Sequence, residues 1–310
     1  MSTNLDSGQI TALYTDVRAN FDYDYNQMFK GPENWARAFV DPIDTDLDTV
    51  TLPWLHSRLG LRAGIRHQPI SHRTILGDKA EVSVRKYEDG IEVSMHDLTS
   101  DRIGLWQGKI RELAEGAAFN LRYLLIDSFV FGETAAYTIY DGLPWFSNTH
   151  QKGGSTLDNL FTGVLNSTNF QAARTIMRRF PSDGGAAQPL NVVPNILAVA
   201  PDDEYTALEL MNNSKKPDAT FNTENILRGM ATVIVIPEFQ DTNDWYLFKT
   251  DAVVKTHAHV KKRDWSPFKI NDISADQISI WRRTEKMAVE GMVYENAYPI
   301  RPELALKVVN

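Results

Sequence analysis

The pattern with the strongest claim to chemistry is His257-Ala258-His259, in the run VVKTHAHVKK. If that run is a strand, its period of two points both imidazoles to one face, where they could share a metal ion. A metal-dependent hydrolase using His257 and His259 is therefore one reading. It needs further His and Asp ligands downstream, yet no histidine follows His259, and Lys255, Lys261 and Lys262 flank the pair and disfavour a cation. A solvated or subunit-facing strand is the expectation. His150 follows Ser147-Asn148-Thr149, but no Gly-x-Ser-x-Gly elbow accompanies it, so a serine triad has no anchor. Lys152-Gly153-Gly154-Ser155 lacks the leading glycine of a phosphate loop and reads as a plain loop. There is no Gly-x-Gly-x-x-Gly, no EF-hand loop and no cysteine. The chain is thus expected not to be an enzyme, with no catalytic, cofactor-binding or metal-ligating residues.

Composition narrows the class further. The 310 residues are 43% hydrophobic and 23% charged, ample for a buried core in one large domain or two. The first residues, MSTNLDSGQITALYTDVRANF, lack a basic segment followed by an apolar one, so no secretory signal is expected. No window approaches 18 uncharged apolar residues, so no membrane partner is expected. A formal net charge of −8 argues against non-specific DNA binding through a basic surface. The local basic runs Arg178-Arg179, Lys261–Arg263 and Arg282-Arg283 read as solvated faces or subunit salt bridges.

The positioning elements follow from periodicity. Residues 103–131 carry Ile103, Trp106, Ile110, Leu113, Ala117, Leu121, Leu124 and Ile126 near one helix face, with Glu112, Glu115 and Arg122 among the polar positions between them. Such a helix runs on the order of 40 Å, long enough to be the spine of a flat, elongated subunit. Thr99, Ser100 or Asp101 can cap its start, and Gly132 can end it. Gly104, Gly108 and Gly116 each weaken the helix, which points to close packing against another segment. Before the spine, residues 8–29 read as a helix, 31–51 as an irregular acidic arm, and 51–74 as an Arg-rich loop that projects towards a neighbouring chain. Ala80, Val82 and Val84, a turn at Glu88-Asp89-Gly90, then Ile91, Val93 and Met95 read as a hairpin. After the spine come an aromatic turn-rich segment (137–148), a flexible break (151–155), a helix (169–180) and a Gly/Ala loop (182–188). An α/β lobe follows. ILAVA at 196–200 is a strand closed by Pro201, Asp202 caps a helix at 204–211, and further strands fall at 230–237 and 245–249. Strand-like runs fill 277–309.

Several blocks, in order, resemble the major head subunit of Mu-like tailed bacteriophages and prophages, a family with the Hong Kong 97-type capsid fold. They are SGQITALYTDVRANFDYDYNQM, RKYEDGIEVSMHDLTSDRIG, YDGLPWFSNTH, PNILAVAPDDEYTALELMNN, ILRGMATVIVIPEF and NDWYLF. In the third block Gln151 follows where the family often has proline.

The resemblance implies an α+β fold divided into four parts. These are an N-terminal helix and arm (1–48), an extended loop (49–98), a peripheral domain with the spine helix (99–165 and 255–300) and an axial α/β domain (166–254 and 301–310). It implies a shell subunit that joins copies of itself as hexamers and pentamers around double-stranded DNA, which the inner face contacts without sequence specificity. The implied location is the virion, assembled in the host bacterial cytoplasm. Implied partners are a separate scaffold or protease, a portal and a decoration protein. A bacterial nanocompartment shell is the alternative with the same fold. Candidate intersubunit contacts are Trp54, Arg58, Arg62, Arg66 and Arg73 of the loop, Arg85 beside it, and Glu112 and Glu115 on the polar side of the spine.

Overall fold

The computed structural model describes residues 7–31, 34–55, 77–94, 97, 100, 105–152, 155–182, 189–215, 224–239, 241–263 and 286–310. Helix α1 (Ser7–Lys30) lies along the spine helix α2 (Leu105–Phe131), whose buried stripe is Ile110, Ala114, Ala118, Leu121, Leu125 and Phe129. The helix forms where periodicity placed it, but its buried stripe is rotated from the expected face: Ile110 and Leu121 belong to both, whereas Leu113, Ala117 and Leu124 are only half-buried, and the helix stops at Gly132. A Cβ there would sit 2.5 Å from the Ser128 carbonyl oxygen and 2.8 Å from the Phe146 ring, so only glycine lets the chain turn away. The caps expected at Thr99 and Asp101 lie outside the described residues. Close packing, expected at three helix glycines, does not occur at Gly108 or Gly116, where a Cβ would meet nothing within 4 Å among the described residues; Gly104 lies outside them. Close approach comes from the strand side instead, where a Cβ on Gly291 would lie 3.0 Å from Leu113.

Two sheets flank the spine. The first has the order β1-β11-β12-β4, from Val40–Thr45, His257–Lys262, Lys286–Pro299 and Arg85–Ser94. The second has the order β7-β13-β10-β8-β9, from Leu160–Thr162, Ala305–Val309, Trp245–Phe248, Ile196–Val199 and Thr232–Val235. Alternation along its strands serves two cores at once. Ile196, Ala198, Tyr246 and Phe248 join Phe39, Phe129 and Trp145 on the spine side. Leu197, Val199, Trp245 and Leu247 face α3 (Ser167–Arg179) and α4 (Glu204–Asn212) on the other. Burial on both faces explains why these strands read as continuous apolar runs.

Several expectations are corrected. Residues 31–51 are not an unpacked arm. A 3-10 turn at Trp35–Phe39 buries Ala36 and Phe39 completely, and β1 pairs in parallel with β11. The Phe39 ring stands 5.0 Å from Phe248, an aromatic anchor that outweighs the surrounding acidic residues.

The expected hairpin about Glu88-Asp89-Gly90 does not form either. Strand β4 runs straight through that tripeptide, pairing Gly90 with Glu290 and Asp89 with Gly291 of the 14-residue β12. A long partner strand supplies ten ladder positions, more than a local reversal could. The preceding strand β3 (Gly77–Ser83) turns instead to β2 (Thr49–Leu55), forming a two-stranded ribbon whose distal ends lead into residues 56–76. The expected break at 151–155 is a small pair, β5 (His150–Lys152) with β6 (Ser155–Leu157). The N-cap of α4 is Asp203, without a side-chain cap bond, because Pro201–Asp203 forms its own 3-10 turn and displaces the expected Asp202 by one position. The expected loop at 182–188 falls almost wholly outside the described residues.

Candidate functional site

His257 and His259 hold the pattern with the strongest claim to chemistry. Strand β11 does send both rings towards the spine, but each is taken up by protein groups. His257 is fully buried, with Nε2 2.9 Å from Ser128 Oγ and Nδ1 2.9 Å from Thr256 Oγ1. Burial pushes its imidazole down to about 3, so the ring is neutral in the fold. It stands edge-on to Trp145, ring centres 4.6 Å apart. His259 Nε2 lies 2.6 Å from Glu295 Oε2, and the other oxygen of Glu295 accepts from Asn120 on the spine at 2.8 Å. This strand is neither solvated nor subunit-facing as expected; it is a buried tie between the first sheet and α2. Among the described residues no three His, Asp or Glu side chains converge to hold a metal ion.

His150 is likewise structural. Its Nδ1 is 2.7 Å from Asp141 Oδ2 and its Nε2 is 3.0 Å from the Trp145 carbonyl, which closes the turn-rich segment on itself. Ser147 Oγ pairs with Thr149 Oγ1 rather than with the imidazole. The basic run Lys261–Arg263 answers the acidic run before β2: Lys262 reaches Asp48 at 2.7 Å, Lys261 reaches Asp44 at 3.5 Å and Arg263 reaches Asp46 at 3.9 Å. This run, expected to be a solvated face or a set of subunit salt bridges, pairs within the chain.

Some surface stays open among the described residues. Between the spine and strands β4 and β12 lies a groove of about 330 Å³, floored by Tyr87, Leu113, Gly116 and Tyr123 and edged by Glu88 and Glu112. Of the expected contact residues, Glu112 lies at this groove, Glu115 is exposed on the same helix and Arg85 is exposed at the start of β4. Trp54 stands in β2, opposite Asp78 in register. Arg58, Arg62, Arg66 and Arg73 lie outside the described residues.

Residues 78–307 match the family described as phage capsid protein, a span that includes the spine, all of β4 to β12 and most of β3 and β13. The chain belongs to the phage capsid protein family. Among solved structures, the capsid-family chain is similar to the procapsid of bacteriophage JBD30, 14% identical with a TM-score of 0.54, over 99% of this chain and 76% of that one. It is similar also to the capsid of a native GTA particle, 9% identical with a TM-score of 0.54, over 88% of each chain. The capsid of cyanophage P-SCSP1u is 10% identical with a TM-score of 0.51, over 87% of this chain and 85% of that one. No curated protein matches the sequence. At such low identity these likenesses speak to the fold alone, which is the Hong Kong 97-type capsid fold.

Sequence reasoning passed over three buried ionic residues of this capsid protein: Glu295, Asn120's acceptor, and the pair Lys307 and Asp244. Lys307 on β13 contacts Asp244 Oδ2 at 3.0 Å and also Glu133, just past the spine. Burial alone would push its ammonium down, but Tyr246, Glu133 and Asp244 outweigh that and raise it well above the usual lysine value. The available signal was a lysine inside the apolar strand ALKVV and a glutamate inside VYENAY.

Proposed function

We propose that this chain is the major head subunit of a Mu-like tailed phage or prophage, assembling as hexamers and pentamers into an icosahedral shell around double-stranded DNA. The observation that carries this reading is the continuous family match over residues 78–307, which takes in the spine and most of both sheets. A scaffold or protease, a portal and a decoration protein would be separate chains, and assembly would take place in the host cytoplasm. DNA on the inner wall would meet a surface of low phosphate affinity, in keeping with the net charge of −8.

The four-part division belongs to the same proposal: helix and arm at 1–48, extended loop at 49–98, peripheral domain at 99–165 with 255–300, axial domain at 166–254 with 301–310. The β2–β3 ribbon supports an extended loop whose tip is the Arg-rich stretch. Contacts would be many and individually modest, and stability collective.

Light scattering with negative-stain microscopy on the overexpressed chain, alone and with its scaffold, tests the proposal. Rings, sheets or closed shells are expected; a monomer in both preparations overturns it. Replacing Arg62 and Arg66 with Glu should leave the thermal melt of the subunit unchanged and lower the yield of shells. Normal shells from that double variant would sink the loop assignment.

A further inference from the structure

Most charge runs in this subunit are answered within the chain, as Asp44, Asp46 and Asp48 are by Lys261–Arg263. Among the described residues, two clusters on the helices of the five-stranded sheet are not. Arg178 and Arg179 in the last turn of α3, and Arg174 one turn before them with its Nε buried, form no ion pair with the described residues; Arg178 Nε donates to Asn191 Oδ1 at 2.9 Å. Asp202, Asp203 and Glu204 at the start of α4 form none either, and burial together with the neighbouring Asp202 raises the Asp203 carboxyl. Each cluster complements its own helix dipole, but one charge at each end suffices for that. The dipole also leaves unexplained the apolar side chains beside the acidic cluster: Tyr205 is 77% exposed and Leu208 37%.

The fold keeps the clusters apart. Helix α3 packs on β13 and α4 packs on β8 and β9, so the two lie on one face of the five-stranded sheet towards opposite edges. They also sit at opposite strand ends. The end of α3 is bonded to Asn191, shortly before β8 begins, whereas α4 starts directly after β8 ends. Opposite charges at opposite corners cannot pair within one copy. They can pair between copies, and a contact that joins two different patches is heterologous, the kind that closes into rings.

We infer that the α4 corner of one copy docks on the α3 corner of the next, Asp202, Asp203 and Glu204 facing Arg174, Arg178 and Arg179, with Tyr205 and Leu208 as the apolar anchor. This rests on the reading of the chain as a self-assembling shell subunit and names a surface by which its copies recognise one another. Electrostatic complementarity of this sort fixes register and weakens with salt.

The test uses full-length chains and sedimentation velocity at low and high salt. Variant one is R178E/R179E, acidic at both corners; variant two is D202K/E204K, basic at both. Each alone should associate at least about tenfold more weakly than wild type, with unchanged thermal melts. Mixed in equal amounts they should associate again, and only as even-numbered rings, because like variants repel as neighbours. If either reversal lowers the melt, R178Q/R179Q or D202N/E204Q replaces it, and weakened association is still expected. Wild-type rings with unaffected variants, or a mixture that stays apart, overturn this contact alone. A wild-type chain that stays monomeric with its scaffold present overturns the assembly reading and this contact with it.

Discussion

The five-stranded sheet and the four-stranded sheet handle their faces differently. In the five-stranded sheet β8 and β10 are buried at every position and β13 at four of five, with an apolar core on each side. In the four-stranded sheet β4 exposes Arg85, Lys86, Glu88, Asp89, Gly90 and Glu92, and a groove stays open where it meets the spine. The first has both of its faces filled within one subunit and leaves only the helix corners at α3 and α4 open. The second leaves charged side chains and the groove exposed among the described residues. The two regions meet at Phe129, whose ring is 4.7 Å from Phe248 of the five-stranded sheet and 5.8 Å from His257 of the four-stranded one.

The change that would break this arrangement most severely is Phe129→Ala. It removes a fully buried ring from the shared core and should cost about 3–5 kcal/mol, read as a lowered denaturant midpoint. If the two sheets are one cooperative unit, near- and far-ultraviolet signals will fall together. Separated transitions would show that the five-stranded sheet stands alone.

Next in size is Lys307→Met. The substitution leaves Asp244 buried and unanswered, and should cost about 3 kcal/mol. Adding Asp244→Asn should recover much of that loss, since the unpaired charge is then gone. A double variant no better than the single would mean that packing of the lysine stem, not the charge, is what matters there.

His257 sharpens the comparison through pH. An unfolded histidine titrates near 6.5, whereas this one stays neutral down to about 3. Between those values the unfolded chain binds a proton that the folded chain refuses, so stability falls as pH drops from about 6.5 towards 3. The slope attributable to this residue is at most about 1.4 kcal/mol per pH unit, and above 6.5 it vanishes. His257→Gln should flatten the curve of melting temperature against pH in that window. An unchanged slope would mean that carboxylates elsewhere dominate acid unfolding.

Legibility in the sequence tracks the same division. Strands β8, β9 and β10 of the five-stranded sheet were readable because ILAVA, TVIV and WYLF are apolar runs, whereas its short edge strand β7 was not read. The resemblance blocks supplied the fold as a whole. Where strands are half exposed, local signals competed with distant partners. Glu88-Asp89-Gly90 carries every mark of a tight turn, yet the ladder with β12, about 200 residues away, overrides it. Acidic residues 41–48 hid Phe39 and Val40, which belong to the core. His257 and His259 looked like ligands because a sequence does not reveal that Ser128 and Glu295 reach them from other elements. Nothing local marks which charges stay unanswered.

The smallest effect is also the one that separates the subunit from the shell. Gly116 sits mid-helix with open space where its Cβ would be, and it floors the groove beside Leu113 and Tyr123. For an isolated subunit Gly116→Ala should therefore stabilise, by roughly 0.5–1 kcal/mol, through helix propensity alone. If a neighbour fills the groove in the assembled state, the added methyl meets that neighbour and shell yield drops even though the melting temperature rises. A variant that melts higher and assembles as well as wild type would leave the groove uncovered in the shell. In that case the glycine is a local cost without an assembly role, and the four-stranded sheet keeps less of its surface for neighbours than its open face implies.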